Sequence, residues 1–277
     1  MLAVLAILAS AVTPAVMQRI VDARVDATRS EVKNLYEAMV GRESEPGTFG
    51  FIGDMGRLPS TLDELVRPGN LPTFTSQTVR NVGIGWNGPY INAGVSQDDY
   101  LMDGFGRPYA PIQNGQVRSA GADSVFNTPD DLVYPPNPPL VNGRVAVVVK
   151  HQNEDGSVLV DPLGYVVNLY YSNNGRQAVL TAATPPFVFE NVPRGLHAVV
   201  VISAGTIVAQ DTIASLGGGQ TRLVELWVLG PTSLLPSGGA DGGAGQGSGA
   251  GHGSGSDQGR GAGQGRGSGR GQGSGRQ

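Results

Sequence analysis

The first forty residues constrain this chain most, because they carry one helical pattern that requires two different surroundings. Residues 2–17 contain no charged side chain. From Gln18 to Val40, charges recur every two to four positions, and apolar residues keep the spacing of one helical face. These apolar residues are Met17, Val21, Val25, Val32, Leu35, Tyr36 and Met39. The pattern predicts a stalk helix over residues 1–40, whose first part requires lipid or other helices and whose second part packs on a folded domain.

A secretory signal peptide or a simple membrane anchor would also contain an apolar run, and residues 9–11 resemble a cleavage site. The chain has no basic residue before this run, and the helical pattern continues through the cleavage position. The charge-free run is also shorter than the roughly 20 apolar residues of a complete membrane span. We therefore favour the stalk helix over a signal peptide or anchor, and we expect that its beginning is truncated.

Composition excludes several classes of function. The chain has 277 residues and a formal net charge of −4. It has no cysteine, which excludes a disulfide framework and a thiolate metal site. The three histidines, His151, His197 and His252, lack the spacing of zinc sites. No serine lies in a nucleophile elbow, and no glycine-rich loop joins a strand to a helix, so we expect no enzyme activity. No basic patch in the predicted folded part indicates nucleic-acid binding.

Glycine is concentrated at the end of the chain, where it alternates with serine, alanine, glutamine and arginine from residue 237 onward. A segment with almost no apolar side chains cannot offset the entropy that ordering costs, so we predict that residues 231–277 are disordered. Glycine-arginine segments also bind RNA or anionic surfaces. Aromatic residues are not interleaved here, and we therefore favour a flexible solvated tail.

The block after the helix, residues 41–136, is rich in turn residues. Gly41 stands where a C-cap glycine is expected, and Ser60 with Asp63 matches a variant capping box before a short helix. The Asn114–Gly115 pair between short extended runs predicts a hairpin. We therefore expect a globular head made of a small loop-rich sheet backed by the helix. A proline-rich linker over residues 137–142 follows it.

Strand-like runs separated by turn residues recur over residues 143–230. These runs cover residues 144–150, 165–171, 187–190, 196–202, 206–211 and 221–229. Short strands at this spacing predict a β-sandwich. The predicted fold class is therefore α+β, with a long stalk helix and a small loop-rich β-sheet head, followed by a β-sandwich domain and a disordered tail.

The candidate metal site is an oxygen-rich loop over residues 119–132. It contains Asp123, Asp130 and Asp131 together with Asn127, and its glycine and proline favour tight turns. Calcium takes about six to eight oxygen ligands, including backbone carbonyls, and this loop offers most of them. The spacing is not that of an EF-hand, however, and such side chains also form turns without metal by binding their own backbone. The residues alone leave both interpretations open.

Residues 1–135 resemble the type IV pilin superfamily, and most closely the major pseudopilin of type II secretion. The similar segments occur in the family's order: an apolar stalk containing Pro14, a Pro-Ser-Thr segment, a Gly-Pro-Tyr turn, an Asp-x-x-Gly-x-Pro-Tyr turn and the calcium loop. They are residues 7–16, 58–65, 86–91, 103–109 and 119–131. The family's leader, its cleavage site and the glutamate after that site have no counterpart in this sequence.

The resemblance implies a filament subunit that self-assembles with other pseudopilins at an inner-membrane assembly platform. It implies one N-terminal span in the bacterial inner membrane before assembly, with the head in the periplasm. It also implies Ca²⁺ in the acidic loop, with Asp123, Asp130 and Asp131 as side-chain ligands. Carbonyls near Ser119 and Leu132 are the further ligands that the resemblance suggests.

Residues 141–229 resemble a transthyretin-like or carboxypeptidase-regulatory β-sandwich, through the turn over residues 187–195. That resemblance implies binding or spacing without catalysis. Two alternatives to the secretion filament therefore stay open. One is a surface-exposed adhesive pilin at the cell surface, and the other is a membrane-anchored binding protein that uses the sandwich and never polymerises.

Overall fold

A single long helix, α1 (Leu2–Val40), opens the chain and contains Pro14. The computed structural model describes residues 2–42, 45, 47–76, 82–91 and 99–230, with the side chains of α1 from Pro14 onward. The predicted disorder of residues 231–277 and the apolar side chains of residues 2–13 lie outside what is described. Within the described residues, no helix combines the length and the apolar character that crossing a membrane requires.

The two parts of α1 differ in burial. From Pro14 to Ala27 every side chain is exposed or partly exposed, whereas Thr28, Val32 and Leu35 are buried. The helix ends at Gly41, as predicted, because this glycine takes a φ of 84° and its N–H donates to Glu37 O at 2.7 Å.

Residues 41–136, called here the loop-rich block, pack on the buried face of α1. The described part of the block contains α2 (Gly50–Met55), 3₁₀ turns at Leu62–Leu65 and Asp99–Leu101, and four short strands. The strands β1 (Thr75–Ser76), β2 (Gly83–Ile84), β3 (Val117–Ser119) and β4 (Leu132–Tyr134) form two antiparallel pairs, β1–β2 and β3–β4. The shared core includes Val32, Leu35, Met39, Phe51, Ile52, Met55, Leu62, Leu65, Tyr100, Tyr109 and Val117.

Two local predictions in the loop-rich block had different outcomes. The hairpin at Asn114–Gly115 is confirmed, since both residues have positive φ (52° and 73°) and Gln113 pairs with Gln116 across the turn. The capping box is wrong. Thr61 occupies the N-cap without a side-chain bond, and the Ser60 N–H instead donates to the Glu64 carboxylate at 3.0 Å.

Residues 142–230, called here the two-sheet block, form two four-stranded sheets around one core. The strands are β5 (Asn142–Gln152), β6 (Val158–Val160), β7 (Tyr165–Asn173), β8 (Arg176–Ala182), β9 (Phe187–Pro193), β10 (Gly195–Ser203), β11 (Thr206–Ser215) and β12 (Thr221–Leu229). One sheet has the order β11-β10-β7-β8, and the other has the order β12-β5-β6 with β9 also paired to β5. The β12–β5 pair is parallel, and the other pairs are antiparallel. Alternate residues of both sheets, such as Val147, Val167 and Val201, fill the core.

The predicted α+β class, a long stalk helix with a small head, is wrong. In the described part of the chain, more residues lie in strands than in helices, so the protein is rich in β-structure. All six predicted runs are strands; β12 has the predicted ends, the other five strands extend past theirs, and β6 and β8 were not predicted. The strong helical periodicity of the first forty residues therefore gave too much weight to the helix.

The loop-rich block contacts the two-sheet block where α2 ends against the turn between β7 and β8. Ser172 Oγ donates to Asp54 O at 2.7 Å, and the Gly175 N–H donates to Met55 O at 2.9 Å. Gly56 has a φ of 71°, and a Cβ there would overlap the carbonyl of Ser172. The absence of a side chain at Gly56 therefore lets the two backbones approach closely.

Candidate functional site

The acidic loop is closed by the β3–β4 pair, in which Ser119 lies directly opposite Leu132. These two residues are therefore ladder partners at the base of the loop, and residues 120–131 extend from them. Ser119 is fully buried, and its hydroxyl donates to Asp103 Oδ2 and accepts the Gly121 N–H at 3.1 Å. The Ser119 side chain therefore fixes the base of the loop instead of pointing toward the aspartates at its tip.

Asp103 is a structural residue that the sequence analysis placed only in a turn. It is 5% exposed, and its Oδ1 accepts the N–H groups of Phe105 and Arg107, both at 2.9 Å. With the bond from Ser119, this one carboxylate joins its own turn to β3. An aspartate that accepts backbone N–H groups two and four residues later forms an Asx-type turn. The turn residues after Asp103 were therefore the sequence signal for this role.

Asp130 holds the two sides of the loop together. Its Oδ2 accepts the N–H groups of Ala122 and Asp123, at 2.8 and 3.0 Å, and its Oδ1 accepts the Thr128 hydroxyl at 2.7 Å. The Thr128 bond and these backbone bonds lower the pKa of Asp130 to about 2. The carboxylate therefore stays ionised at any physiological pH.

Asp123 and Asp131 bind the backbone nearer to themselves. Asp123 Oδ1 accepts the Val125 N–H at 2.8 Å, and Asp131 Oδ2 accepts the Asn127 N–H at 2.9 Å. Each bond spans a few residues and stabilises a tight turn. The three predicted metal-ligating aspartates thus lie in one loop, and each already accepts at least one backbone hydrogen bond.

The hydroxyl of Thr128 marks the most oxygen-rich point of the loop. Thr128 Oγ1 lies 2.9 Å from Val125 O, 2.7 Å from Asp130 Oδ1 and 3.4 Å from Asp131 Oδ1. A hydroxyl carries one proton and satisfies one acceptor at a time, so two of these three oxygens lack a full donor from it. Thr128 is not among the ligands predicted from the sequence, because an uncharged hydroxyl gives no distinctive signal there.

The donor set around Thr128 suits Ca²⁺, because it consists of carboxylate, hydroxyl and carbonyl oxygens. In the described part of the chain, no three Asp, Glu, His or Cys side chains lie close enough to hold a metal ion by themselves. Calcium in this loop would therefore need the hydroxyl or carbonyl oxygens as well as Asp130 and Asp131.

A second candidate surface lies on α1, before the helix meets the loop-rich block. Val16, Met17 and Ile20 are 48%, 57% and 43% exposed. They are spaced three and four residues apart and share one face of the helix. Exposed charged side chains lie farther along α1 and on the other side of the helix: Asp22, which accepts a hydrogen bond from Gln18, and the Asp26–Arg29 pair, whose atoms lie 3.4 Å apart. An exposed apolar face with charges on the opposite side is typical of a helix that contacts other helices.

Comparisons with known proteins give little guidance. No family model matches the chain, and no curated protein matches it either. A crystal structure of a candidate carbohydrate-binding protein from Pseudomonas aeruginosa is similar over 32% of this chain and 89% of that chain, at 12% identity and a TM-score of 0.24. A likeness this low carries no argument about the function of this chain.

Proposed function

We propose that this chain is a structural subunit, a pseudopilin, of a type II secretion or type IV pilus-like filament. In this proposal the subunit assembles through its N-terminal helix and carries a calcium-stabilised loop-rich block. The observation that supports it most is the exposed apolar face of α1 at Val16, Met17 and Ile20. Apolar side chains on an unpacked part of a long helix gain free energy when neighbouring helices cover them, at about 25 cal/mol per Å².

The exposed charged residues of α1 have a smaller part in the proposal. The exposed Asp26–Arg29 pair lies within one helix, and exposed pairs of this kind contribute about 0–1 kcal/mol each. Exchange of such partners between neighbouring subunits selects the register of the helices and adds little affinity. The driving force for assembly is therefore the burial of the apolar face.

In the proposed cycle, the charge-free first part of α1 lies in the bacterial inner membrane before assembly, and the rest of the protein lies in the periplasm. The partners are then other pseudopilins and an inner-membrane assembly platform. The uncharged run over residues 2–17 supports this placement, because none of its side chains carries a charge into an apolar surrounding.

The assembly proposal is tested with the full chain by sedimentation and negative-stain electron microscopy. We expect filaments from the wild type, and a pelleted fraction about tenfold or more lower for Ile20→Glu, since a carboxylate on the apolar face must be desolvated. Ile207→Glu on β11 is the matched control, because Ile207 is also an exposed isoleucine (52%) but lies outside α1. Equal pelleting of the two variants would exclude assembly through this face.

Calcium binding in the acidic loop is the second part of the proposal. Asp130 and Asp131 would supply carboxylate oxygens next to the Thr128 hydroxyl and the Val125 carbonyl. Asp123 and the carbonyls near Ser119 and Leu132 are the further candidates that the pseudopilin resemblance suggests. Bound calcium would neutralise the carboxylates and connect residues that are far apart in the loop, which stabilises the folded state.

The calcium proposal is tested by thermal unfolding of the full chain with excess Ca²⁺ and with EGTA. We expect the wild type to unfold about 5 °C lower in EGTA, and Asp130→Asn to lose this difference. Asp155→Asn is the control, because Asp155 is also an exposed aspartate that accepts hydrogen bonds, from Ser157, but lies in the two-sheet block. A wild-type melting curve that is the same in both buffers would refute calcium binding.

One observation favours a second candidate function, which is binding through the two-sheet block. Leu223, Trp227 and Leu229 alternate along β12 and are 58%, 48% and 70% exposed. Lys150 Nζ lies 5.1 Å from the centre of the Trp227 ring. This face supports an adhesive pilin or a membrane-anchored protein that does not polymerise. The sedimentation experiment distinguishes the membrane-anchored binding protein from a filament subunit, since the former stays monomeric with its helix intact.

A further inference from the structure

A cleft of about 470 Å³ lies where α1, the linker and the two-sheet block meet. The residues that line it are Tyr36, Val40, Pro139, Leu140, Val141, Arg194, Leu216, Gly217, Gly218 and Gln220. Its volume falls in the range of about 300–1,000 Å³ that small-molecule sites occupy. Leu140, Val141 and Leu216 contribute apolar side chains to a wall that also exposes polar backbone, and Arg194 is the one charged residue among those that line it.

Arg194 has one buried donor that is unsatisfied. Its Nε atom is buried and has no hydrogen-bond partner in the described part of the chain. No acidic side chain among the described residues forms an ion pair with it, and its backbone N–H donates to Val141 O at 3.0 Å. A buried polar donor without a partner costs free energy unless something else supplies the acceptor. A ligand in the cleft that carries negative charge would bring an acceptor to this side chain, the one charged group among the lining residues.

The turn that holds Arg194 is fixed by its neighbours. Arg194 lies between the end of β9 and the start of β10, and Gly217 packs beside it with a φ of 68°. A Cβ at Gly217 would lie 2.6 Å from Val141 O and 3.4 Å from the Cβ of Arg194. The glycine therefore leaves room for the arginine stem between the linker and the two-sheet block, at the wall of the cleft.

The geometry points to a site for a ligand that carries one carboxylate on a small apolar body. The planar guanidinium binds a carboxylate through two parallel hydrogen bonds, and its two terminal nitrogens form such a fork. Leu140, Val141 and Leu216 would contact the apolar body. A phosphate dianion fits less well, because the lining residues provide no second cation to balance its charge.

A carboxylate of this kind comes either from a free carboxylic acid or from the C-terminus of a peptide. The chemistry at Arg194 is the same for both, so the experiment uses hexanoate and the dipeptide acetyl-Ala-Leu as separate probes. Hexanamide and the C-terminally amidated dipeptide are the matched uncharged controls. Binding is followed by NMR titration of the full chain labelled with ¹⁵N.

We expect saturable shifts at cleft residues with at least one carboxylate probe, and affinity about tenfold or more lower for its amide. Arg194→Met, which keeps an apolar stem, should lower the affinity by a similar factor. Leu216→Glu places a negative charge on an exposed leucine of the cleft and should also weaken binding, whereas Leu163→Glu, on an exposed leucine outside the cleft, should not.

Two results would overturn the assignment. One is the absence of saturable shifts with either carboxylate in the wild type, and the other is equal affinity for the acid and its amide. Leu216→Glu keeps the test decisive if Arg194→Met does not fold, because Leu216 is 57% exposed and its replacement disturbs no core. Unchanged affinity in Leu216→Glu would also count against the site.

Discussion

In the two-sheet block, β10 has nine residues and pairs with a neighbour on each side, whereas the described strands of the loop-rich block have two or three residues each. The two-sheet block is stabilised by long ladders and by alternate apolar side chains that meet in one core. The loop-rich block is stabilised by single carboxylates, such as Asp103 and Asp130, that accept hydrogen bonds from several backbone N–H groups.

This difference indicates how each block responds to change. Burial in the two-sheet block is spread over many residues, so the loss of one polar contact removes a small part of its stability. In the loop-rich block, a single carboxylate accepts several backbone hydrogen bonds, and its loss leaves all of those donors unpaired. The loop-rich block should therefore be the one that is sensitive to point mutation, to pH and to cations.

The largest expected effect is that of Asp103→Ala. This change removes the acceptor for Phe105, Arg107 and the buried Ser119 hydroxyl, and we expect it to lower the free energy of unfolding by about 4 kcal/mol. The control is Asp161→Ala in the two-sheet block, where one carboxylate oxygen accepts the Val149 N–H at 2.7 Å. We expect about 1 kcal/mol there, measured by urea denaturation of both variants. Equal losses would remove the contrast between the blocks.

A change at the contact between the blocks should have the next largest effect. Gly56→Ala puts a Cβ onto the Ser172 carbonyl at a φ of 71°, so the backbones must separate, and we expect a loss of about 3 kcal/mol. Gly156→Ala is the control, because Gly156 has a φ of 83° but nothing lies within 4 Å of its Cβ position. The strain alone should cost about 1 kcal/mol. Thermal unfolding of both variants measures the difference, which should vanish if the contact carries no stability.

The smallest predicted effect is a dependence of stability on pH through Asp54. Burial raises the pKa of Asp54 from 3.8 to about 6, although the bond from the Tyr90 hydroxyl, at 2.9 Å, lowers it. The folded state therefore holds this proton more tightly than the unfolded state, and stability falls as pH rises from about 4 to about 6. Asp54→Asn has no such charge to bury, and should be more stable than the wild type by about 2 kcal/mol at pH 8.

Denaturation at pH 5 and pH 8 tests this prediction. Asp155→Asn serves as the control, since hydrogen bonds from Ser157 lower the pKa of that exposed aspartate. Replacing Asp155 should change the pH dependence of stability only below about pH 4, where the wild-type carboxylate loses its charge. If the Asp54→Asn variant were as stable as the wild type at pH 5 and again at pH 8, burial of the Asp54 charge would carry no cost.

The same contrast explains which features the sequence could predict. Strands such as β7 and β12 followed from runs rich in β-branched, aromatic and other apolar residues, with turn residues between the runs. The hairpin at Asn114–Gly115 followed from backbone preferences of two residues. The α+β class was nevertheless wrong, since most of the strands continue beyond the predicted runs and the apolar residues of β8 do not alternate regularly with polar ones.

Features that depend on contacts between residues far apart in the sequence could not be predicted from local sequence patterns. The burial of Asp103 depends on Ser119, sixteen residues later, and the packing of Gly56 depends on Ser172. The acidic loop was recognised as a unit, but its pattern could not show that Thr128 lies between Val125 O and two carboxylates. The unsatisfied donor of Arg194 likewise appears only when the linker and two strands of different sheets have come together.

The parallel pairing of β12 with β5 also has a mechanical consequence. The two strands match over nine successive residues, from Thr221 opposite Arg144 to Leu229 opposite Gln152. A pull on α1 reaches β5 at its first residue, and a pull at Gly230 reaches β12 at its last residue. Force between these two points therefore slides the strands along each other and loads all nine pairs together. Such a joint resists tension far better than one that opens pair by pair.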